Sequence, residues 1–165
     1  MDFIVQEAVK NQQDINYDDM VGQANIKVFG VGGAGSNMVS WLYKKGVKGA
    51  EITACNTDKQ HLDITNSDKK FLIGKELTRG LGCGGFPQKG AEAAQESIQE
   101  IKDTIKGTDM AFICAGMGGG TGTGAAPVIA QVVKDSGAIV IGTVTMPFSI
   151  ERARIDKAEF GLQQL

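Results

Sequence analysis

The sequence is short of histidine, proline and tryptophan, and its cysteines are unpaired. It has one histidine, His61, and three cysteines, Cys55, Cys83 and Cys114, with no C-x-x-C spacing among them. That inventory argues against a zinc site. The cysteines lie far apart, each ending or following an apolar run, and read as reduced thiols of a cytoplasmic protein. No charge sign dominates either: 17 Lys and Arg face 19 Asp and Glu, for a net charge of −2. There is therefore no electrostatic case for nucleic acid as a partner. The longest apolar run, near residues 138–146, is too short to span a bilayer, so direct membrane insertion is not expected. The opening M-D-F-I-V-Q-E-A-V-K is too short and too acidic for a signal peptide. No internal repeat and no linker interrupt the 165 residues, which suit roughly one domain with a real core.

Glycine is what the chain has in excess, with 23 residues, 14 of them in three stretches, 30–35, 80–85 and 116–124. The last reads G-M-G-G-G-T-G-T-G. It follows an apolar run at 111–115 and precedes a helical pattern opening at Ala125. A glycine turn between strand and helix exposes several backbone N–H groups beside the positive end of a helix dipole, which makes an anion site. Glycine lets the backbone approach the ligand and adopt positive φ. Thr121 and Thr123 add hydroxyls. A flexible linker would carry serine and would not sit between strand and helix signals.

In chain order, residues 1–20 form an arm, with an amphipathic helix expected over 2–13. Residues 26–31 read as a first buried strand running into G-V-G-G-A-G-S-N, so Gly30, Gly32 and Gly35 match G-x-G-x-x-G. Met38, Trp41 and Leu42 follow at helical spacing, the context that makes this motif credible for phosphate. Ser36 and Asn37 stand where the helix is expected to begin, to donate to a ligand or to cap. A second strand at 51–55 leads to Asn56-Thr57-Asp58, either ligand-facing at a strand's carboxyl end or a plain Asx turn. A short third strand spans 71–74. Residues 78–87 read as a loop stiffened by Pro87. Ala91, Ala94, Ile98, Ile101 and Ile105 predict one long helix with an apolar stripe. A fourth strand at 109–115 delivers the long glycine stretch, with Pro127 in the first turn of the next helix. The fifth strand, 138–146, reads as buried on both faces, and a last amphipathic helix begins near Ile155.

Alternation of strands and helices predicts an α/β fold, a Rossmann-like doubly wound parallel sheet in three layers with helices on both faces. The glycine stretches would then gather at the carboxyl edge of the sheet around one ligand. No G-x-x-x-x-G-K-[ST] is present, which excludes a P-loop NTPase. An NAD(P)-binding domain of an oxidoreductase would use the first stretch, with Asp58 as a candidate ribose acceptor, but would leave the other two stretches without a role. A longer polyphosphate uses all three.

G-M-G-G-G-T-G-T-G-A-A-P resembles the signature of the tubulin/FtsZ superfamily. The FtsZ branch, the bacterial and archaeal cell-division GTPases, is similar throughout, at G-V-G-G-A-G-S-N (30–37), N-T-D (56–58), T-R-G-L-G-C-G (78–84) and M-P-F (146–148). The resemblance covers about residues 20–165. It implies a tubulin-type domain over 21–165 that binds GTP or GDP, with Mg2+ held through the phosphates. It places Gly32, Gly33, Ala34 and Gly35 at the phosphates and Asn37 near the base. It adds Asn56, Gly84 and Gly85, and wraps the terminal phosphates with Gly116, Met117, Gly118, Gly119, Gly120, Thr121 and Gly122. Glu151 and Arg154 are implied at the ribose, with Arg152 the alternative, because I-E-R-A-R stands where F-E-G-x-x-R is common. The acidic arm, Cys83 and Phe86 side with archaeal members. Family members are about twice as long; their central helix, catalytic acids and second domain have no counterpart here, so no catalytic residue is expected within this chain. The resemblance further implies filament formation by self-association, other division proteins as partners, and a cytoplasmic location at the division site.

Overall fold

The computed structural model describes residues 22 and 24–165; the arm expected over residues 1–20 lies outside them. Five parallel strands form one sheet: β1 (Ile26–Val31), β2 (Ala50–Asn56), β3 (Lys69–Leu72), β4 (Met110–Gly116) and β5 (Ile139–Thr145), in the order β3-β2-β1-β4-β5. The helices are α1 (Gly32–Lys45), α2 (Lys59–Ile64), α3 (Lys75–Thr78), α4 (Pro87–Glu96), α5 (Ile98–Thr104), α6 (Thr121–Asp135) and α7 (Ile155–Gln164), with a 3-10 turn at Ser149–Arg154 before α7.

Successive strand residues point to opposite faces, and the core divides accordingly. Phe29 and Val31 of β1, with Ile113 and Ala115 of β4, face α4, α5, α6 and α7 through Ala94, Ile101, Ile129, Val133 and Ala158. Val28 and Cys114 face the other side, where Val39 of α1 and Leu62 of α2 cover them with Ile52 and Ala54. The sheet is thus covered on both faces, the doubly wound arrangement its sequence predicts. The strand order reverses between β1 and β4, so a crevice opens at their carboxyl ends. Val31 pairs with both Cys55 and Ala115, and Gly116 with Thr145, which aligns four strand ends on one edge.

Several boundaries differ from expectation, each for a local reason. The long helix is two. At Ser97 the backbone leaves helical geometry (φ −94, ψ 15), and its Oγ accepts the amide of Gly74 at 3.0 Å. The Ser97 amide still reaches the Ala93 carbonyl at 3.3 Å, so the chain bends at Ser97 while its hydroxyl serves a loop 23 residues away. Pro87 does not stiffen a loop; it starts α4, where a missing N–H costs nothing. α6 opens four residues early, at Thr121, so Pro127 falls in its second turn. α1 opens at Gly32, so neither Ser36 nor Asn37 caps it. Finally, β5 is an edge strand. Val140 and Val144 join the core, but Ile139 and Ile141 on its other face are 59% and 38% exposed. Periodicity cannot distinguish an edge strand from a central one when both are β-branched.

Candidate phosphate-binding site

β1 passes into α1 without an intervening residue, and only Met117–Gly120 separate β4 from α6. The N-cap residues, Val31 and Gly120, make no side-chain capping bond, and neither first turn carries an acid. In α6 the first helical bond runs from the Gly124 amide to the Gly120 carbonyl at 3.0 Å. The amides of residues 121–123 precede it and have no intrahelical acceptor. Earlier amides are used to shape the turn: Met117 N donates to the Thr145 carbonyl at 2.9 Å, and Gly118 N to Thr123 Oγ1 at 2.9 Å.

A cleft of about 730 Å³ lies over these helix starts. Its walls include Gly33 and Ala34 from the first glycine stretch and Gly116, Met117, Gly119, Gly120, Thr121 and Gly122 from the long one. Glu151 and Arg154 close the far side. They are paired at 2.9 Å, and the other Glu151 oxygen accepts the Phe148 amide at 3.0 Å, which holds the carboxylate in place. They supply the only charges on the walls of this cleft among the described residues, one of each sign. Arg152 is not on its walls.

The glycines here do two kinds of work. A Cβ on Gly33 or Gly119 would meet no atom of the described residues within 4 Å. Both line the cleft, so protein packing does not require glycine there, and their bareness keeps the space open for a ligand. Gly32 (φ +72), Gly120, Gly122 and Gly124 are different. A Cβ on Gly120 would stand 2.8 Å from Cys83 Cβ, one on Gly122 would stand 2.6 Å from the Gly116 carbonyl, and one on Gly124 would overlap the Pro87 carbonyl. These positions let α6 approach β1, α4 and the second glycine stretch. Gly35 packs in the same way against the Cys114 carbonyl. Gly118 (φ +94) lies under the Arg154 backbone.

Other expected residues lie away from the walls. Asn37 is exposed on α1. Asn56 is buried; its Oδ1 accepts the Thr57 amide at 2.9 Å and its amide nitrogen lies 3.2 Å from His61 Nδ1. Asp58 caps α2 by accepting the His61 amide at 3.0 Å. The structure therefore shows an Asx turn followed by a cap. Gly84 and Gly85 sit in the second stretch, which leans on Gly120 and is held from α7 by Lys157 Nζ, 2.9 Å from the Gly85 carbonyl. Thr145, Met146, Pro147 and Phe148 line the cleft without having been singled out as contacts. The signal that would have found them is the place of β5 beside β4, a property of strand order.

Among the described residues, no three His, Cys, Asp or Glu side chains converge on a cation site. Burial pushes the thiols of Cys55 and Cys114 up, away from the thiolate form. No described helix is long and apolar enough to cross a membrane.

The chain is similar to known proteins over nearly all its length. It is 50% identical over 163 residues to Cell division protein FtsZ 2 of Methanocaldococcus jannaschii, an alignment covering 98% of this chain and 43% of that protein. The fold superposes with a TM-score of 0.87 on an empty FtsZ dimer structure from M. jannaschii, at 48% identity, covering 94% of this chain and 46% of that one. It superposes with a TM-score of 0.76 on a GTPgS-bound protofilament of CetZ2 from Haloferax volcanii, at 27% identity, covering 85% and 45%. The chain thus spans less than half the length of these relatives. Residues 25–165 match the sequence model described as the Tubulin/FtsZ family, GTPase domain. With the glycine turn, the switch-point cleft and these likenesses in agreement, the chain belongs to the tubulin/FtsZ family, of whose GTPase domain residues 25–165 are a match.

Proposed function

We propose that the cleft binds a guanine nucleotide, GTP or GDP, phosphates first. One observation carries this reading. Gly33 and Gly119 leave open space where any side chain would stand, directly beside the uncapped start of α6. Backbone amides and a helix dipole there suit the oxygens of a polyphosphate. Glu151 and Arg154 take the ribose side, and Asn37 the base side. Magnesium would be held mainly by phosphate oxygens and water, a common arrangement for that ion. The site then supplies positioning and charge stabilisation to a phosphoryl group.

A protein of the relatives' full length carrying this domain would assemble into filaments, hydrolyse GTP at the contact between subunits, and act with other division proteins at the cytoplasmic division site. The names of the relatives support this: a cell division protein, an FtsZ dimer and a GTPgS-bound protofilament. The 165-residue chain by itself binds nucleotide without turning it over. Titration calorimetry with GDP, GTP and NADPH tests the first claim. Heat from the guanine nucleotides and none from NADPH is expected; uptake of NADPH in their place would return the site to the dinucleotide reading.

A further inference from the structure

Thr57 is not on the walls of the cleft and is fully buried, yet it bonds to three separate segments that build the site. Its Oγ1 lies 2.7 Å from Thr121 Oγ1, 64 residues away at the first position of α6. On its other side, Cys83 Sγ donates to the same Oγ1 at 3.4 Å. Its carbonyl accepts the Gly82 amide at 3.1 Å. Its amide is fixed by Asn56 Oδ1. One threonine therefore joins the end of β2, the second glycine stretch and the start of the phosphate-facing helix.

We propose that Thr57 is a positioning residue for the nucleotide site, acting through Thr121; this rests on the nucleotide reading above. The argument follows the direction of the protons. A threonine hydroxyl has one hydrogen and two lone pairs. The Cys83 thiol donates into one Thr57 lone pair, and either hydroxyl of the Thr57–Thr121 pair can donate; among the described residues, only donation from Thr57 to Thr121 leaves no buried Thr57 hydrogen unpaired. In that polarity Thr121 accepts, and its own hydrogen is left to turn into the cleft that it lines. A phosphate oxygen needs a donor. The opposite polarity would present it with lone pairs alone. The same contacts seat the second glycine stretch against Gly120, so the relay sets both the direction of the hydroxyl and the spacing of two loops. A pair of hydroxyls that merely satisfied each other in the core would have no such directional effect.

The test compares Thr57→Val, Thr57→Ser, Thr121→Val and the double variant Thr57→Val/Thr121→Val. It uses GDP titration and amide hydrogen exchange of the protein without nucleotide. Thr57→Val keeps the shape and removes the hydroxyl; it is expected to weaken GDP about tenfold, while Thr57→Ser stays within about twofold of the parent. In the Thr121→Val background, Thr57→Val is expected to cost nothing further, because the partner through which it acts is gone. Without nucleotide, the amides of Gly82 and Gly124, hydrogen-bonded in the parent to the Thr57 and Gly120 carbonyls, exchange faster in Thr57→Val. Unchanged GDP affinity in Thr57→Val, or full additivity in the double variant, overturns the proposal. If Thr57→Val fails to fold, Cys83→Ala carries the titration: an affinity about threefold weaker supports the relay, and an unchanged one overturns it. If the parent takes up no GDP, the nucleotide reading fails on its own. The exchange measurement then decides the tie: faster exchange in Thr57→Val supports it and unchanged exchange overturns it.

Discussion

The amide nitrogen of Gly122 lies 2.7 Å from where a Cβ on Gly32 would stand. The first and third glycine stretches thus meet backbone to backbone, and Gly32 has a left-handed φ of +72 as well. Gly32→Ala combines backbone strain with a collision against main chain that cannot rotate away. A loss of about 3 kcal/mol of unfolding free energy is expected from the two together, measured by urea denaturation.

Gly119→Ala should do the opposite. The new methyl meets no atom of the described residues, so stability is expected to stay within about 0.5 kcal/mol. It would project into the cleft, and GDP affinity should fall about tenfold or more, the cost of losing roughly one charge-assisted hydrogen bond. Melting curves with and without GDP separate the two effects. Equal loss of stability in Gly32→Ala and Gly119→Ala would mean that both glycines serve packing.

Arg154 and Arg152 differ by two positions and diverge in the structure. Arg154 is paired with Glu151 on the cleft wall. Arg154→Ala is expected to weaken GDP about five- to tenfold with little change in stability, since an exposed ion pair contributes under about 1 kcal/mol. Arg152→Ala should leave affinity within about twofold. Reversal of that order in parallel titrations would assign the ribose contact to Arg152.

Glu51 anchors an ion-pair cluster at the opposite end of the sheet. It accepts from Lys27 at 2.9 Å and lies 2.8 Å from Lys69, and the Lys27 side chain is only 8% exposed. Burial pushes the Glu51 carboxyl up, but the bonds and charges of Lys69 and Lys27 outweigh it and hold the group below its ordinary 4.5. A depressed folded pKa stabilises the protein above the unfolded value, and this contribution fades as pH falls through the folded value. Glu51→Gln should cost about 2 kcal/mol at pH 7, because it leaves the buried Lys27 charge with neutral acceptors alone, the amide oxygen and the Thr104 carbonyl. The difference from the parent should narrow as pH falls below 4.5 toward the depressed folded value. Chemical denaturation at pH 7, 5 and 3.5 tests the trend.

Ile139 and Ile141 leave an apolar strip on the outer strand. Exposed edge strands of this kind pair with other chains unless charged. Concentration-dependent association is expected by size-exclusion chromatography, and Ile139→Lys should reduce it. A clean monomer at high concentration for the parent would count against the strip as a contact.

The chemistry of this chain is local in sequence, and so it could be read there. Strand, glycine turn and helix occur in order at 26–45 and 110–135, and the dense glycine of 116–124 has few uses outside anion binding. That order alone dictates a parallel, doubly wound sheet, because crossover helices must lie on its faces. Strand order, edge position and loop contact are not local. Tertiary structure decided that β5 stands beside β4 and brings Thr145–Phe148 to the cleft, while its own outer face stays bare. It decided that the chain bends at Ser97, whose hydroxyl holds Gly74. It also divided the glycines, which look alike in sequence. Gly33 and Gly119 face empty space, whereas Gly32, Gly122 and Gly124 face other backbone, and only neighbours distant in the chain determine which is which.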